Sequence, residues 1–349
     1  MKTICCFSAF LFSSVQFSLA TVRTLSNTAF SPGEYTTFDA AQAACLSGDT
    51  IYVHGSNINY GDIVIYQSLV IIGTGHNPNK QSPRVSSFRN ISVQAGGVQL
   101  IGLTFNTLDN SGYHDGTVKK CRILGSTQNS SVCLYLSGSA HNWLIEGNIF
   151  DQSDDTGIYF GGGQAPNTII ENNIFANQVE KINGLNNDPS QTTYILNNVF
   201  LSDAPGAFSF VSVNYAVVNN NVFYASSPVG HSGALFNSSM NNNISFQCSD
   251  DSFLPGLNNL AGVDPLFVNY PGLPSLFSYN FDFNLSATSP GHNTGTDGTD
   301  RGVWGGIGSL FTMTGEPSIA EITAFTITSP TAVPPGGTLN ISITSKRAH

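Results

Sequence analysis

The run Glu171-Asn172-Asn173-Ile174-Phe175 is the clearest copy of a pattern that recurs between residues 142 and 246. The other copies are EGNIF at 146–150, LNNVF at 196–200, NNNVF at 219–223 and NNNISF at 241–246. Successive copies place their phenylalanines 25, 25, 23 and 23 residues apart. A fixed period in the twenties, with asparagine before a short apolar run, is typical of a solenoid in which each repeat is one turn of the chain.

Each repeat is built from strands rather than helices. In the copy from Asp151 to Phe175, short apolar runs alternate with polar or glycine-rich turns, and no segment keeps the 3.6-residue apolar period of a helix. Strands this short cannot bury a face alone, but they can pair with the equivalent strand of the next turn and stack their inward side chains. The sequence therefore predicts an all-β fold, a right-handed parallel β-helix of seven or more turns.

The asparagines before the third strand of each repeat have a structural explanation. Asparagine tolerates the left-handed backbone conformation that a tight bend needs, and stacked asparagine side chains can form hydrogen bonds between turns. We therefore predict an asparagine ladder rather than a ligand site. In an earlier turn Cys121 occupies the ladder position, because Cys121-Arg122-Ile123 aligns with Asn148-Ile149-Phe150.

The first 20 residues have the features of a secretory signal peptide. Lys2 supplies the positive end, residues 4–15 are largely apolar, and Ser18-Leu19-Ala20 is a small-x-small cleavage site. No other apolar run is long enough to span a membrane. We therefore expect an exported protein, secreted or held at the cell surface, and a monomer.

The remainder divides into a solenoid and a tail. We expect the β-helix to occupy residues 21–315, with an alanine-rich capping helix near 36–47 that covers the unpaired strand edges at the open end. Beyond it, two strand-like runs flank Pro334-Pro335-Gly336-Gly337 and resemble the start of an immunoglobulin-like sandwich. About 33 residues are too few for such a domain. Residues 316–349 are therefore a short β tail, which either packs on the solenoid or begins a larger module.

The chain is acidic and poor in charged residues, with a formal net charge of -10 and only 10% Asp, Glu, Lys and Arg. This balance argues against nucleic acid as a partner. It also argues against a polyanionic substrate, unless Ca²⁺ bridges the two. The cysteines beyond the signal peptide match no metal-site spacing, and both disulfides and free thiols stay open for them: Cys45, Cys121, Cys133 and Cys248.

Both ends of the solenoid carry a resemblance to known proteins. Residues 48–53 (GDTIYV) and 68–73 (SLVIIG) look like the opening of secreted bacterial right-handed parallel β-helix proteins of the pectate-lyase-like superfamily, and residues 263–268 (VDPLFV) and 289–295 (SPGHNTG) look like their closing segment. The resemblance covers about residues 22–308. It implies the fold, export and an extracellular polysaccharide partner. It does not imply one activity, because the superfamily includes lyases, hydrolases, epimerases and adhesins.

Three carboxylates, Asp151, Asp154 and Asp155, precede a strand and are the catalytic candidates. Such a group can hold a water, share a proton or bind Ca²⁺. The resemblance aligns Asp154-Asp155 with the Asp pair of polygalacturonase-like hydrolases, and His231 with their Gly-His-Gly motif. In those hydrolases the pair and the histidine lie on neighbouring turns. Here His231 follows Asp155 by three turns, or about 14 Å.

Whether the protein is an enzyme therefore stays open. If it is one, we expect a polysaccharide lyase or glycoside hydrolase in which Asp154 or Asp155 is the acid and Asp151 assists. The competing interpretation is a turn whose carboxylates cap backbone amides.

A row of aromatic residues is the candidate binding surface. By strand alternation Tyr135 and Tyr159 point outward, one turn apart, and Tyr113 would extend the row. Exposed aromatic rings stack on sugar faces and carry polar tips for hydroxyls, although tyrosine is also an ordinary strand residue. The predicted substrate-binding residues are Tyr113, His114, Tyr135, Tyr159 and His231.

Cofactors and function are left as open alternatives. Residues 297–300 (DGTD), with Asp264 and Asp282, are compatible with a Ca²⁺ site, but such turns are commonly only turns. The first functional hypothesis is a secreted protein that binds extracellular polysaccharide, with the question whether it also processes that polysaccharide left open. The second is a non-catalytic surface or adhesive solenoid. The two differ in whether the Asp cluster lies in an open groove beside the tyrosines.

Overall fold

The computed structural model describes most of residues 20–347. The undescribed residues, which include nearly all of the predicted signal peptide, are 1–19, 30–31, 81, 126–131, 139, 152–155, 177–179, 204–210, 226–236, 249–255, 276, 310, 329–334 and 348–349. One short helix, α1 (Phe38–Ala43), accompanies the strands of the described part. That helix is not long and apolar enough to cross a membrane, and it is the only one among the described residues.

The strands in chain order are β1 (Val22–Leu25), β2 (Thr50–Val53), β3 (Ile63–Ile65), β4 (Val70–Ile72), β5 (Asn90–Val93), β6 (Gln99–Ile101), β7 (Thr104–Phe105), β8 (Thr107–Ser111), β9 (Thr117–Lys119), β10 (Arg122–Ile123), β11 (Val132–Ser137), β12 (Leu144–Glu146), β13 (Ile149–Phe150), β14 (Thr156–Tyr159), β15 (Ile169–Glu171), β16 (Ile174–Phe175), β17 (Glu180–Asn186), β18 (Thr193–Leu196), β19 (Val199–Ser202), β20 (Val211–Asn214), β21 (Ala216–Asn219), β22 (Val222–Ala225), β23 (Ser239–Asn241), β24 (Ile244–Phe246), β25 (Phe267–Asn269), β26 (Asp282–Leu285), β27 (Ala320–Ile327) and β28 (Ile341–Arg347).

Three parallel sheets form the solenoid. Sheet A has ten strands, in the order β1-β2-β4-β6-β9-β12-β15-β18-β21-β23, and sheets B and C have seven each. Sheet B is β7-β10-β13-β16-β19-β22-β24, and sheet C is β3-β5-β8-β11-β14-β17-β20. A regular turn runs from sheet A through a tight bend into sheet B, and then through a loop into sheet C. This confirms the predicted right-handed parallel β-helix.

A stack of phenylalanines runs through the core. The rings of Phe150, Phe175, Phe200 and Phe223 follow one another at centroid distances of 4.3, 4.9 and 5.0 Å, nearly parallel. The fifth repeat breaks the series, because its extra residue puts Ser245 opposite Phe223. Phe246 consequently packs against Tyr224, with 5.1 Å between ring centroids.

Two neighbouring positions at the bend between sheets A and B have different roles. The first adopts the left-handed conformation, with φ of 67° at Gly147, 54° at Asn172 and Asn197, 61° at Asn220 and 55° at Asn242. The second forms the buried ladder, in which each amide oxygen accepts the backbone N–H of the preceding member at 2.8–2.9 Å. Its members are Cys121, Asn148, Asn173, Asn198, Asn221, Asn243 and Asn259. The predicted ladder, with Cys121 at its head, is confirmed.

After the last turn the chain comes back along the outside of the solenoid. We call residues 260–318 the return segment. The outer Asn side chains of the bends hold it: Asn242 donates to Thr294 O, Asn197 to Asp300 O, and Asn172 to the carbonyls of residues 303 and 305. Farther on, His76 N donates to Thr314 O at 3.0 Å. The return segment therefore runs antiparallel to the direction in which the turns stack.

The return segment covers the outer face of sheet B and creates a second apolar core. Side chains of β16, β19, β22 and β24 pack there against Phe283, Val303 and Phe311. β25 and β26 pair as an antiparallel hairpin within this segment. Sheet B is therefore buried on both faces, and its outer face is not available as a binding surface.

The N-terminal helix and the two C-terminal strands differ in how much of their surface is buried. Thr37 caps α1, and the Gln42 side chain donates to Val64 O at 2.9 Å and accepts from Tyr66 N at 3.1 Å. The helix thus satisfies backbone groups on the open edge of sheet C, as predicted for a cap. At the other end β27 and β28 form an antiparallel hairpin whose described side chains are exposed.

Candidate functional site

The outward face of sheet C carries the predicted tyrosines. Tyr135 on β11 and Tyr159 on β14 pair directly in register. Their rings lie 5.8 Å apart, with 30° between the ring planes. Both side chains are half-buried, whereas their neighbours Leu134 and Ile158 are fully buried. The prediction that the tyrosines project outward on adjacent turns is confirmed.

Each ring lies over a glycine of a following turn. A Cβ built on Gly161 would stand 3.2 Å from Tyr135 Oη, and one on Gly184 would stand 2.7 Å from the Tyr159 ring. Both glycines have positive φ, 61° and 76°. The absence of a side chain at these positions leaves room for each ring to lean over the backbone of the next turn, and the two stacked, half-buried rings form an aromatic platform.

Polar residues continue the row in both directions. Asp109 is opposite Tyr135 in the preceding turn, and Asn183 is opposite Tyr159 in the following one. Beyond Tyr159, a cleft of about 190 Å³ is lined by Gly162, Gly184, Leu185, Asn186, Ser212, Val213 and Asn214. The platform therefore has hydrogen-bonding groups at both ends.

Tyr113 does not extend the row, and this part of the prediction is wrong. The register puts Asp109 beside Tyr135, four residues before Tyr113. Tyr113 follows the end of β8 in the turn toward sheet A, where its carbonyl accepts from Trp143 Nε1 at 3.0 Å. Asp109 lies 26 residues before Tyr135, whereas Tyr135 lies 24 residues before Tyr159, so the repeat period alone does not identify the residue that precedes Tyr135 in the row.

His114 belongs to a separate cluster at that turn. Its ring stacks on His141 at 4.6 Å, and its Nδ1 is 2.5 Å from Asp115 Oδ2. Asn142 donates to Asp115 Oδ1 at 2.7 Å. Two hydrogen bonds lower the pKa of the Asp115 carboxyl, and the one from Asn142 has a larger effect than the one from His114. The cluster is a hydrogen-bonded corner that lies away from the tyrosine platform in sequence and register.

Of the three candidate carboxylates, the structure describes Asp151. It follows β13 and is 8% exposed, and it accepts hydrogen bonds from the Arg122 guanidinium. Burial raises the pKa of the Asp151 carboxyl, and the charge of Arg122 opposes that rise. Asp151 is therefore committed to an ion pair. Asp154 and Asp155 lie outside the described residues, as does His231, so their predicted roles stay predictions.

A buried polar network that the sequence analysis missed covers this ion pair. Tyr279 of the return segment stacks on Arg122, with 5.3 Å from the guanidinium carbon to the ring centroid, and its hydroxyl donates to His76 O at 2.9 Å. His76 Nδ1 is also 2.9 Å from that hydroxyl. Because the hydroxyl proton is used on the carbonyl, the Nδ1–H tautomer fits best. His76 Nε2 is buried without a hydrogen-bond partner.

Three of the carboxylates considered for Ca²⁺ each accept hydrogen bonds from groups close to them in the sequence. Asp297 accepts from Thr299, Asp264 from Leu266 N, and Asp282 from Asn284. Among the described residues, no three His, Cys, Asp or Glu side chains are grouped to hold a metal ion. The described cysteines are free thiols rather than disulfides: Cys45, Cys121, Cys133 and Cys248.

This chain has a distant similarity to a solved structure. It is similar to the crystal structure of the pectin methylesterase from Aspergillus niger in deglycosylated form, with a TM-score of 0.40 and 15% sequence identity. The match covers 71% of this chain and 88% of that chain. No protein-family model and no curated protein sequence matches this chain. At this identity the likeness concerns the fold and transfers no residue roles.

Proposed function

We propose that this protein is exported and binds an extracellular polysaccharide along the outward face of sheet C. The observation that carries the proposal is the platform of two stacked tyrosine rings, Tyr135 and Tyr159, which lie against Gly161 and Gly184 on adjacent turns. Sugar rings present C–H faces that stack on aromatic rings, while their hydroxyls need hydrogen-bonding groups at the rim. The platform and the polar cleft beside it offer both.

The parallel stacking of turns suits a polymeric ligand. Equivalent positions on successive turns are separated by about 4.8 Å, so a surface that crosses several turns repeats its contacts along one line. Asp109, Tyr135, Tyr159 and Asn183 occupy four successive turns on such a line. An extended glycan chain that follows this line would meet all four.

Processing of the polysaccharide is the finer part of the proposal. Asp154 and Asp155 immediately precede β14, the strand that carries Tyr159. That position in the sequence makes them the first carboxylates to test as acids. Asp151 is a weaker candidate, because its carboxylate pairs with Arg122 under Tyr279.

Glycan-array binding of the chain from residue 21 onward tests the proposal. We expect binding that is lost in Tyr135→Ala/Tyr159→Ala. The control is Tyr194→Ala, which removes an exposed tyrosine (37% exposed) from sheet A. The double substitution Tyr135→Phe/Tyr159→Phe separates stacking, which it retains, from hydroxyl contacts. Loss of binding in the control as well, or no binding by the parent chain, would contradict the proposal.

A further inference from the structure

The binding face of sheet C is depleted of positive charge. Its seven strands contain one lysine and no arginine, and that residue, Lys181, has no exposed surface. Arg89, just before β5, forms an ion pair with Asp62. The undescribed segments that lead from sheet B into sheet C also contain no Lys or Arg in their sequence, and one of them contributes Asp154 and Asp155. A polyanion would therefore find no unpaired cation among the described residues of these strands.

Carboxylates stand on both sides of the tyrosines. Asp109 is exposed, sits in register with Tyr135, and has no hydrogen-bond or ion-pair partner among the described residues. On the far side, Glu180 of β17 pairs in register with Thr156, at the start of the strand that carries Tyr159. Asn183 donates to the Glu180 carboxylate. The aromatic platform therefore lies between two negative charges.

This combination favours a cation. An ammonium group is attracted by a carboxylate and by the negative face of an aromatic ring, whereas a uronate carboxylate would be repelled by Asp109 and Glu180. The net charge of -10 adds a long-range attraction of the same sign. A neutral sugar would stack on the rings and donate hydroxyl hydrogen bonds to Asp109, but it would leave the charge of the carboxylate uncompensated.

We infer that the polysaccharide bound on sheet C is an amino-sugar polymer with free, protonated amino groups. The inference rests on the proposed function, because it names the ligand class of the same face. Asp109 contacts the ammonium group of one sugar, and Tyr135 and Tyr159 stack on the sugars that follow along the chain.

Calorimetric titration with three short oligosaccharides, of glucosamine, N-acetylglucosamine and galacturonic acid, tests the ligand class. At mildly acidic pH, where the glucosamine amines are protonated, we expect the glucosamine oligomer to bind about tenfold or more tightly than the galacturonic acid oligomer, with and without Ca²⁺. Asp109→Asn should weaken the glucosamine oligomer about twofold to fivefold and leave the N-acetylated oligomer unchanged. Asp39→Asn, which removes an exposed charge from α1, should change neither and controls for net charge.

The outcomes separate the ligand class from the existence of the site. The galacturonic acid or the N-acetylated oligomer could bind more tightly than the glucosamine oligomer and lose that binding in Tyr135→Ala/Tyr159→Ala. That result would overturn the amino-sugar inference but support a glycan site at the two tyrosines. An equal effect of Asp39→Asn and Asp109→Asn would also overturn it, because the attraction would then be unspecific. Binding of none of the three oligomers, nor of any glycan on the array, would overturn both.

Discussion

At Gly184 the backbone and the Tyr159 ring compete for one small space. Gly184 and Gly162 have the same φ of 76°, but only Gly184 has the ring within contact distance of an added Cβ. Alanine at either position carries a left-handed penalty of about 1–2 kcal/mol. We expect Gly184→Ala to cost about 1–3 kcal/mol more from overpacking and to weaken glycan binding, because the ring must lift. Denaturant unfolding of both variants measures the difference in stability, and glycan titration of Gly184→Ala measures the loss of binding. Equal losses of unfolding free energy in Gly184→Ala and Gly162→Ala would contradict the contact between Gly184 and the Tyr159 ring.

His76 makes stability depend on pH. Complete burial, with Arg122 and Lys80 nearby, lowers its pKa to about 3, whereas an unfolded histidine titrates near about 6.5. The unfolded chain therefore binds one more proton between these values. The contribution of His76 is fully present above about pH 6.5 and is lost as the pH falls toward about 3, with a slope of about 1.4 kcal/mol per pH unit.

The variant His76→Asn tests this assignment. An Asn amide can keep the donor to Tyr279 but cannot take up a proton. We expect the unfolding free energy of the parent chain to fall faster than that of the variant between pH 6.5 and 4. The difference in slope should be about 1.4 kcal/mol per pH unit, which corresponds to one proton. Identical pH dependence of urea unfolding for the two chains would show that His76 is not the group responsible.

For the bend between sheets A and B, the sequence predicts the asparagine ladder but not which asparagine belongs to it and which adopts the left-handed conformation. Four of the five copies show two or three consecutive asparagines, and the sequence does not tell which takes the left-handed conformation and which the buried position. The structure assigns the last asparagine to the ladder and the one before it to the bend, with its side chain outward. The outer Asn side chains bind the return segment, which lies outside the repeat. The sequence period alone therefore gives no reason to distinguish the two positions.

Breaking the ladder should be costly. Asn198 accepts from Asn173 N and donates to Ile170 O, both within the core. Asn198→Ala leaves these buried groups unpaired, at about 1–3 kcal/mol each, so we expect a loss of about 3 kcal/mol or more. The matched control is Asn214→Ala, which removes two exposed side-chain hydrogen bonds, one donated to Asn186 and one accepted from Asn237, and should cost less than about 1 kcal/mol. Chemical denaturation gives both values, and similar losses would contradict a structural ladder.

For the whole molecule, the return segment is the part that the sequence did not reveal. Its resemblance to a closing segment places it at the end of the solenoid, but it has no repeat that would define its path. One signal was available. Sheet B strands continue as apolar runs such as Val199-Phe200-Leu201, and unbroken apolar runs are typical of strands buried on both faces. The site has the same limit: alternation predicts Tyr135 and Tyr159, whereas irregular turns displace Tyr113 and hide the His76–Tyr279 contact.

The return segment and the terminal hairpin should differ in what they contribute to folding. A chain ending at residue 318 lacks only β27 and β28, whose described side chains are exposed, so its thermal unfolding midpoint should match that of the parent. A chain ending at residue 259 loses the buried side chains of Phe283, Val303 and Phe311. Burial of three such residues is worth about 5–9 kcal/mol, which is comparable to the whole stability of a domain.

We therefore expect the chain ending at residue 259 to bind a hydrophobic dye and to unfold without a cooperative transition. Phe283→Ala in the full chain is the milder test, because it removes one anchor of the second core and should cost about 3–5 kcal/mol. A fully cooperative transition at the parent's midpoint, in either the shorter chain or Phe283→Ala, would show that the solenoid does not need its outer cover. If the cover is needed, the return segment couples turns that a simple solenoid would leave dependent only on their neighbours. The protein would then unfold as one unit, with the proposed binding face of sheet C held rigid by contacts made on sheet B.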